Sequence, residues 1–202
     1  VLALAYAPRE TGGNTLSGLT FLGLIAIGDT LRPQVKKAVE QVKRAGVQVV
    51  MITGDNKDTA LAMGEKAGLC RENDRLALTH DELAALSDEE VKALLPRLRV
   101  VARAMPQDKS RLVTLAQEMG LVAGMTGDGI NDAPALKLSD VGFAMGSGTE
   151  VAKEAGDIVI LDDNFQSIGK AILYGRTIFK SIRKFIVFQL TMNLCAVGVS
   201  II

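Results

Sequence analysis

The chain has 202 residues, 48% hydrophobic and 23% charged, and its 23 basic and 23 acidic residues cancel to a formal net charge of zero. With no basic field, no Trp and 4% aromatic residues, it lacks both the electrostatic footprint and the stacking platform of a nucleic-acid binder. Two distant cysteines, Cys70 and Cys195, make neither a disulfide framework nor a metal-ligand spacing, which favours a reducing cytosolic face. A single histidine, His80, reads as a surface neighbour of a helix cap and leaves little for a Ser-His-Asp mechanism.

Residues 1–27 read as two apolar strands joined by a turn-rich loop from Pro8 to Gly18. The opening VLALAYA lacks the basic n-region and the small-residue cleavage site of a signal peptide. Pro33 suits the first turn of a helix running to about Ala45, with Val35, Val39 and Val42 as its apolar stripe and Gly46 as its end. Residues 47–52 form a buried strand, followed by Thr53-Gly54-Asp55 and a helix over 57–66 that ends near Gly68. Residues 71–98 are charged and helix-rich and read as an irregular cap or side excursion. Residues 100–104 are the next strand, and Pro106 opens a helix over about 108–119. Residues 121–125 read as a buried strand, 141–145 and 158–161 as two more, with a helix starting near Thr149. From Phe165 onward the pattern is helical without an obvious breaker. Strands alternating with helices imply right-handed crossovers and a parallel sheet, hence a Rossmann-like three-layer α/β domain.

Three groups of polar residues fall at or beside strand C-termini, where open α/β sheets bind ligands. Thr53-Gly54-Asp55 offers a hydroxyl and free N–H groups at a strand-to-helix junction, which suits a phosphate oxygen. Lys109, early in its helix, is a compact cation able to neutralise phosphate charge. Asp128 and Asp132, four residues apart in MTGDGINDAPAL, supply the oxygen ligands that Mg²⁺ takes when it bridges protein to phosphate. Hydroxyl, lysine and paired carboxylates, each following a strand, make a phosphoryl-transfer site, which works by positioning and charge stabilisation.

Residues 185–202 carry no charge, close to the roughly 20 apolar residues of a membrane span. Arg176, Lys180, Arg183 and Lys184 precede them as a positive-inside flank. The segment reads as the first part of a transmembrane helix; the alternative is a buried helix of a soluble domain. Asn193 is a strongly polar residue within it, placed to face a bundle interior. Both ends of the chain read as cuts through a larger protein.

The sequence of TGD, then Lys109 after Arg103-Ala104-Met105-Pro106, then MTGDGINDAPALK, resembles the second half of the phosphorylation domain of P-type cation-transporting ATPases, members of the haloacid-dehalogenase-like superfamily. The run Val141 to Thr149, Asp162-Asp163-Asn164-Phe165 and the basic helix into a membrane segment match as well, so the similarity covers essentially the whole chain. FQLT at Phe188 to Thr191, with Asn193 and Ala196, resembles the fifth membrane helix of calcium pumps, closest to plasma-membrane-type and bacterial one-ion pumps. The resemblance implies that residues 1–20 are the end of a nucleotide-binding domain and linker, 21–168 the second part of a phosphorylation domain, and 169–202 a stalk and truncated membrane helix. It implies that Thr53 and Gly54 contact the phosphoryl group, that Asp55 supports that loop, and that Lys109 contacts an aspartyl phosphate. By the same resemblance Asp128 binds Mg²⁺, while Asp132 and Asn131 keep the metal and phosphate loop in order, with Asp132 a second candidate for the metal. Arg103 matches a residue that contacts ATP, and Asp29 and Arg32 match an interdomain hinge, although Thr30 replaces the usual Pro. Asn193 matches a ligand of the transported ion. Ala196 stands where sarcoplasmic-reticulum-type pumps carry Glu, so one Ca²⁺ per cycle is expected.

The family's nucleophile lies in an Asp-Lys-Thr-Gly sequence on the central strand, and this chain contains no such tetrapeptide. The expected fold is therefore that of a haloacid-dehalogenase-type parallel sheet without its central nucleophile strand, followed by a long stalk and transmembrane helix. The isolated chain is expected to be inactive, with unpaired strand edges. Its partners are expected to be ATP, the transported cation, the lipid bilayer and the rest of a multi-pass pump, with residues 1–180 on the cytoplasmic side. Competing readings are a soluble haloacid-dehalogenase-type phosphatase, which needs an absent Asp-x-Asp pair, and a noncatalytic docking fragment.

Overall fold

The computed structural model of the chain describes residues 1–6, 19–26, 30–71 and 73–201. It divides into two compact units, Val1–Arg32 and Pro33–Ile202. In the first, strand β1 (Leu2–Tyr6) pairs antiparallel with β2 (Thr20–Ile25), Leu2 opposite Ile25, with a register shift between Leu4 and Ala5. These are the two apolar strands expected from the sequence. The Pro8 to Gly18 loop and the hinge candidate Asp29 lie outside the described residues.

The second unit runs α1 (Val35–Arg44), β3 (Met51–Ile52), α2 (Lys57–Lys66), β4 (Leu76–Thr79), α3 (His80–Ala84), α4 (Asp88–Leu94), β5 (Leu98–Ala102), α5 (Pro106–Glu118), β6 (Gly124–Gly127), α6 (Ala133–Leu138), β7 (Val141–Met145), α7 (Glu150–Ala155), β8 (Ile158–Ile160) and α8 (Phe165–Ile201). The pairing of its named strands is parallel, as the alternation of strands and helices requires, but they form two sheets of three, β3-β5-β4 and β6-β7-β8. Each sheet ends on a strand of the candidate site: among the described residues β3 pairs only with β5, and β6 only with β7.

Local chemistry sets the boundaries. Asn56 caps α2 by accepting from Thr59 N–H at 2.9 Å, and the helix stops at Gly68, whose φ of +77° is left-handed. Pro106 occupies the first turn of α5, and Thr149 caps α7 by accepting from Ala152 N–H. One core packs Leu83, Val91, Leu95, Leu98, Val101, Leu112 and Leu115 between the first sheet and α3 to α5. Each fully buried leucine or valine there contributes about 1.5–3 kcal/mol. A second gathers Met125, Ala135, Leu136 and Ala152, and a third joins Phe143 and Ile160 to Ile168 at the start of α8.

Three expectations are corrected. Residues 71–98 are not a side excursion: Leu76–Thr79 is an outer strand of the first sheet, paired along β5 from Leu76↔Leu98 to Thr79↔Ala102. Of residues 47–52 only Met51–Ile52 pair as a strand, and the Gln48 side-chain amide ties the segment before them to the Leu95 and Leu98 carbonyls at 2.7 and 2.9 Å. The strand placed at 121–125 lies at Gly124–Gly127, and Leu121 and Val122 are exposed, as an outer strand paired on one side permits.

Helix α8 is unbroken over 37 residues, and Ile168 is its buried residue. Its first turns lie along α1. A Cβ on Gly169 would stand 3.2 Å from Val42 Cγ2, Asn164 donates to Gln34, and the Arg176 guanidinium donates to the Ala45 carbonyl at the end of α1, where a cation complements the helix dipole.

Candidate active site

The loop after β6 is built around Asp132. Its Oδ1 receives the Lys109 ammonium, and its Oδ2 accepts the backbone N–H groups of Asp128 and Gly129 at 3.2 and 3.3 Å. Asp132 is buried and Lys109 largely so, so this charge-assisted contact is shielded from water and stronger than a surface pair. Two glycines make the geometry possible. A Cβ on Gly127 would stand 2.3 Å from Asp132 Cβ, and one on Gly148 would stand 2.8 Å from the Asp128 carbonyl oxygen. The backbone of Asp128 is held from the other side as well, its carbonyl accepting from Thr149 N–H at 2.8 Å.

This arrangement leaves the Asp128 carboxylate exposed and, among the described residues, without a hydrogen bond or ion pair. It stands just beyond the C-terminal end of β6 as a hard oxygen donor. The fit to Mg²⁺ is that of a cation shared with a phosphate, which takes one or two protein carboxylates and completes its shell from phosphate and water. No group of three or more acidic, His or Cys side chains placed to hold a metal ion occurs among the described residues. Asn131 is exposed in the 3-10 turn Ile130–Asp132, beside Asp128.

The loop after β3 is folded on itself: Thr53 Oγ1 donates to Asp55 Oδ2 at 2.9 Å and accepts from Asp55 N–H at 3.2 Å. Gly54 is exposed between them. Backbone bonds tie this loop to the one after β5, from Ala104 N–H to Thr53 O at 3.0 Å and from Arg103 N–H to Asp55 O at 2.8 Å. Arg103 has φ +50°, a left-handed conformation that a non-glycine residue holds at a cost of about 1–3 kcal/mol. Its side chain is exposed. Helix α5 then carries the chain from Arg103 to Lys109. Thr53, Asp55 and Arg103 are thus brought together at one end of the first sheet, while Lys109 reaches from α5 to the loop of the second.

Asn193 is not part of this assembly. It lies far along α8, where its Oδ1 accepts from Gln189 Nε2 at 3.3 Å. The segment Phe165–Ile201 is long and apolar enough to cross a membrane. The site also contains a buried carboxylate that sequence reading passed over, Asp108, hydrogen-bonded to His80. Twenty-eight residues separate the two, and no local pattern links them.

The sequence pattern of haloacid dehalogenase-like hydrolases matches residues 3–140, and a second pattern of the same description matches residues 121–172. Calcium-transporting ATPase PAT1 of Dictyostelium discoideum is 50% identical over 187 residues, which is 92% of this chain and 17% of that protein. Plasma membrane calcium-transporting ATPase 1 of Mus musculus is 45% identical over 206 residues, 95% of this chain and 17% of its own length. Among solved structures, a zinc-transporting PIB-type ATPase in its E2.Pi state matches with a TM-score of 0.59 at 31% identity, over 77% of this chain and 21% of that one. The chain therefore spans about a fifth of the length of the proteins it matches.

Proposed function

This chain belongs to the haloacid dehalogenase-like hydrolase family, and from that premise we propose that it is the part of an ATP-driven Ca²⁺ pump that handles an aspartyl phosphate. The observation that carries the reading is the Lys109–Asp132 contact beside the Asp128 carboxylate, which has no partner among the described residues. A lysine and a free carboxylate held at one strand end serve an anionic group and its metal together. The relatives named above as calcium-transporting ATPases favour Ca²⁺ as the transported ion. The nucleophilic Asp is supplied from outside these residues, on a strand for which the one-sided β3 and β6 leave edges.

In this reading Lys109 offsets negative charge on the phosphoryl oxygens, and the Gly54 N–H donates to them together with the Thr53 hydroxyl, whose single proton turns from Asp55 Oδ2 to the phosphoryl group. The Asp55 N–H holds Thr53 Oγ1 in place. Asp132 fixes both the Lys109 head group and the N–H groups of the loop, and Asn131 lines that loop. Asp128 holds Mg²⁺, which when bound neutralises phosphate charge. Arg103 meets ATP. Residues 1–20 complete a nucleotide-binding domain, residues 21–168 form the phosphorylation domain, and residues 169–202 form a stalk and membrane helix. The bilayer begins beyond Lys180, Arg183 and Lys184 with residues 1–180 on the cytoplasmic side, and Asn193 ligates the ion within it.

The test uses the full-length pump, with Asp128→Asn and phosphoenzyme formation from ATP measured against Mg²⁺ concentration. Phosphoenzyme formation is expected to fall by at least about 100-fold, with the protein as stable as wild type, because the carboxylate has no partner to lose. Wild-type phosphoenzyme levels at the same Mg²⁺ concentration would overturn the assignment.

A further inference from the structure

Asp108 is 4% exposed, and a carboxylate so deep requires partners. Its Oδ2 accepts two hydrogen bonds, from Met105 N–H and from His80 Nδ1, each 2.8 Å long. The first is a helix cap: Met105 N–H precedes α5, and Pro106 has no N–H to offer. The second comes from a different element. His80 opens α3 directly after β4, at the sheet end where Thr79 pairs with Ala102. With Asp108 as the carboxylate, Nδ1 is the donor, which fixes the tautomer.

A cap alone needs only the Met105 N–H. The imidazole adds a bond that sets how α5 is turned against β4 and α3. His80 is itself anchored, because Thr79 and Glu82 form a reciprocal capping box and Glu82 is held by Lys57 at 2.7 Å. On the other side of Lys109 a second fastening repeats the arrangement. Arg111 donates to the Leu83 and Leu86 carbonyls at 2.8 Å each, and to Asp88 Oδ1 at 2.7 Å. Residues 108 and 111 are therefore both bound to the α3–α4 segment, and Lys109 lies between them. The turn of helix that carries it cannot rotate or slide without breaking one set of bonds.

We infer that His80 is a positioning residue for Lys109, acting through Asp108 and aided by Arg111, and that the α3–α4 segment is the bracket that aims the lysine at Asp132 and the phosphoryl site. The inference rests on the reading of Lys109 given under Proposed function. It assigns the insert between β4 and β5 a part in the chemistry through α5 alone.

The experiment measures steady-state turnover of the full-length pump per phosphorylatable site, together with the KM for ATP, for His80→Asn, His80→Gln, His80→Leu and Lys109→Ala. Asn places its amide nitrogen where Nδ1 lies, whereas Gln carries it one bond further, towards the position of Nε2. His80→Asn is expected to keep per-site turnover within about twofold of wild type. His80→Gln and His80→Leu lower it by about tenfold or more, with KM unchanged, since a displacement of an ångström at a positioned group costs that much and more. Loss of sites with per-site turnover intact in His80→Gln and His80→Leu would make the pair a stability feature only and overturn the inference. So would an Asn variant as impaired as the Gln variant. Should the Leu variant not accumulate, the Asn and Gln pair decides alone. Wild-type turnover in Lys109→Ala would instead remove the underlying reading of the lysine, an outcome distinct from failure of the His80 series.

Discussion

Gly127→Ala is a sharp test of the site's construction. The new methyl would stand 2.3 Å from Asp132 Cβ, 2.7 Å from Cγ and 2.8 Å from Oδ2, where ordinary contact begins at 3.4 Å. Asp132 must therefore retreat by about an ångström, and neither of its neighbours allows this cheaply, since the residue is buried and closes a backbone turn onto Gly129 O. Overpacking of this kind costs about 1–3 kcal/mol, and weakening the hydrogen bonds to a charged acceptor adds about 1.5–3 kcal/mol. Together they come to about 2.5–6 kcal/mol, which lowers the midpoint of thermal inactivation by roughly 5–24 °C for a unit of this size. On the proposed function, phosphoenzyme turnover falls as well, because the Lys109 head group loses its anchor. Gly129→Ala is the matched control: its Cβ meets Asp132 Oδ2 at 3.8 Å and its φ of −110° suits any residue, so both quantities remain near wild type. Thermal inactivation and per-site turnover of the full-length pump are measured for the two variants. If Gly127→Ala and Gly129→Ala behave alike, the close approach of β6 to Asp132 does not govern the site.

Two further outcomes are expected. Burial, reinforced by Glu65 and Asp74, raises the Cys70 thiol above its ordinary value. Cys70 should therefore resist maleimide at neutral pH in native protein and label only on unfolding; rapid native labelling would contradict the packing of α2 against the first sheet. If the proposed function holds, the full-length pump should bind one Ca²⁺ per phosphoenzyme and Ala196→Glu should raise that number, whereas two ions already bound by wild type would refute the one-ion reading.

The legible parts of the molecule are those whose signals are local. Residues 141–145 and 57–66 have the predicted bounds because a short apolar run between breakers and a helix between Asn56 and Gly68 each carry their own punctuation. The segment 71–98 was legible and misread: Thr79-x-x-Glu82 and Ser87-x-x-Glu90 are capping boxes, but the four-residue strand before them is masked by flanking charge. Leu121 and Val122 mislead for the opposite reason, since hydrophobicity implied burial and the structure leaves both exposed. Within the candidate site, the sequence names Lys109, Asp128 and Asp132. It does not announce that one Asp anchors the lysine while the other stays free, because that division depends on Gly127 and on a contact across 23 residues. Nothing local foretells His80 with Asp108.

The unbroken α8 has a mechanical corollary. At 1.5 Å per residue, its 37 residues form a rod of roughly 55 Å. One end is clamped to α1 by Gly169, Asn164 and Arg176. A rod so held magnifies small rotations: beyond Arg176 roughly 37 Å of helix stand free, and a tilt of about 5° at the clamp sweeps the far end through roughly 3 Å. Asn193 lies about two-thirds of the way along that free length and travels roughly 2 Å. Angular play too small to disturb the packing of α1 is therefore large enough, on the proposed reading of Asn193, to make or break its contact with the transported cation.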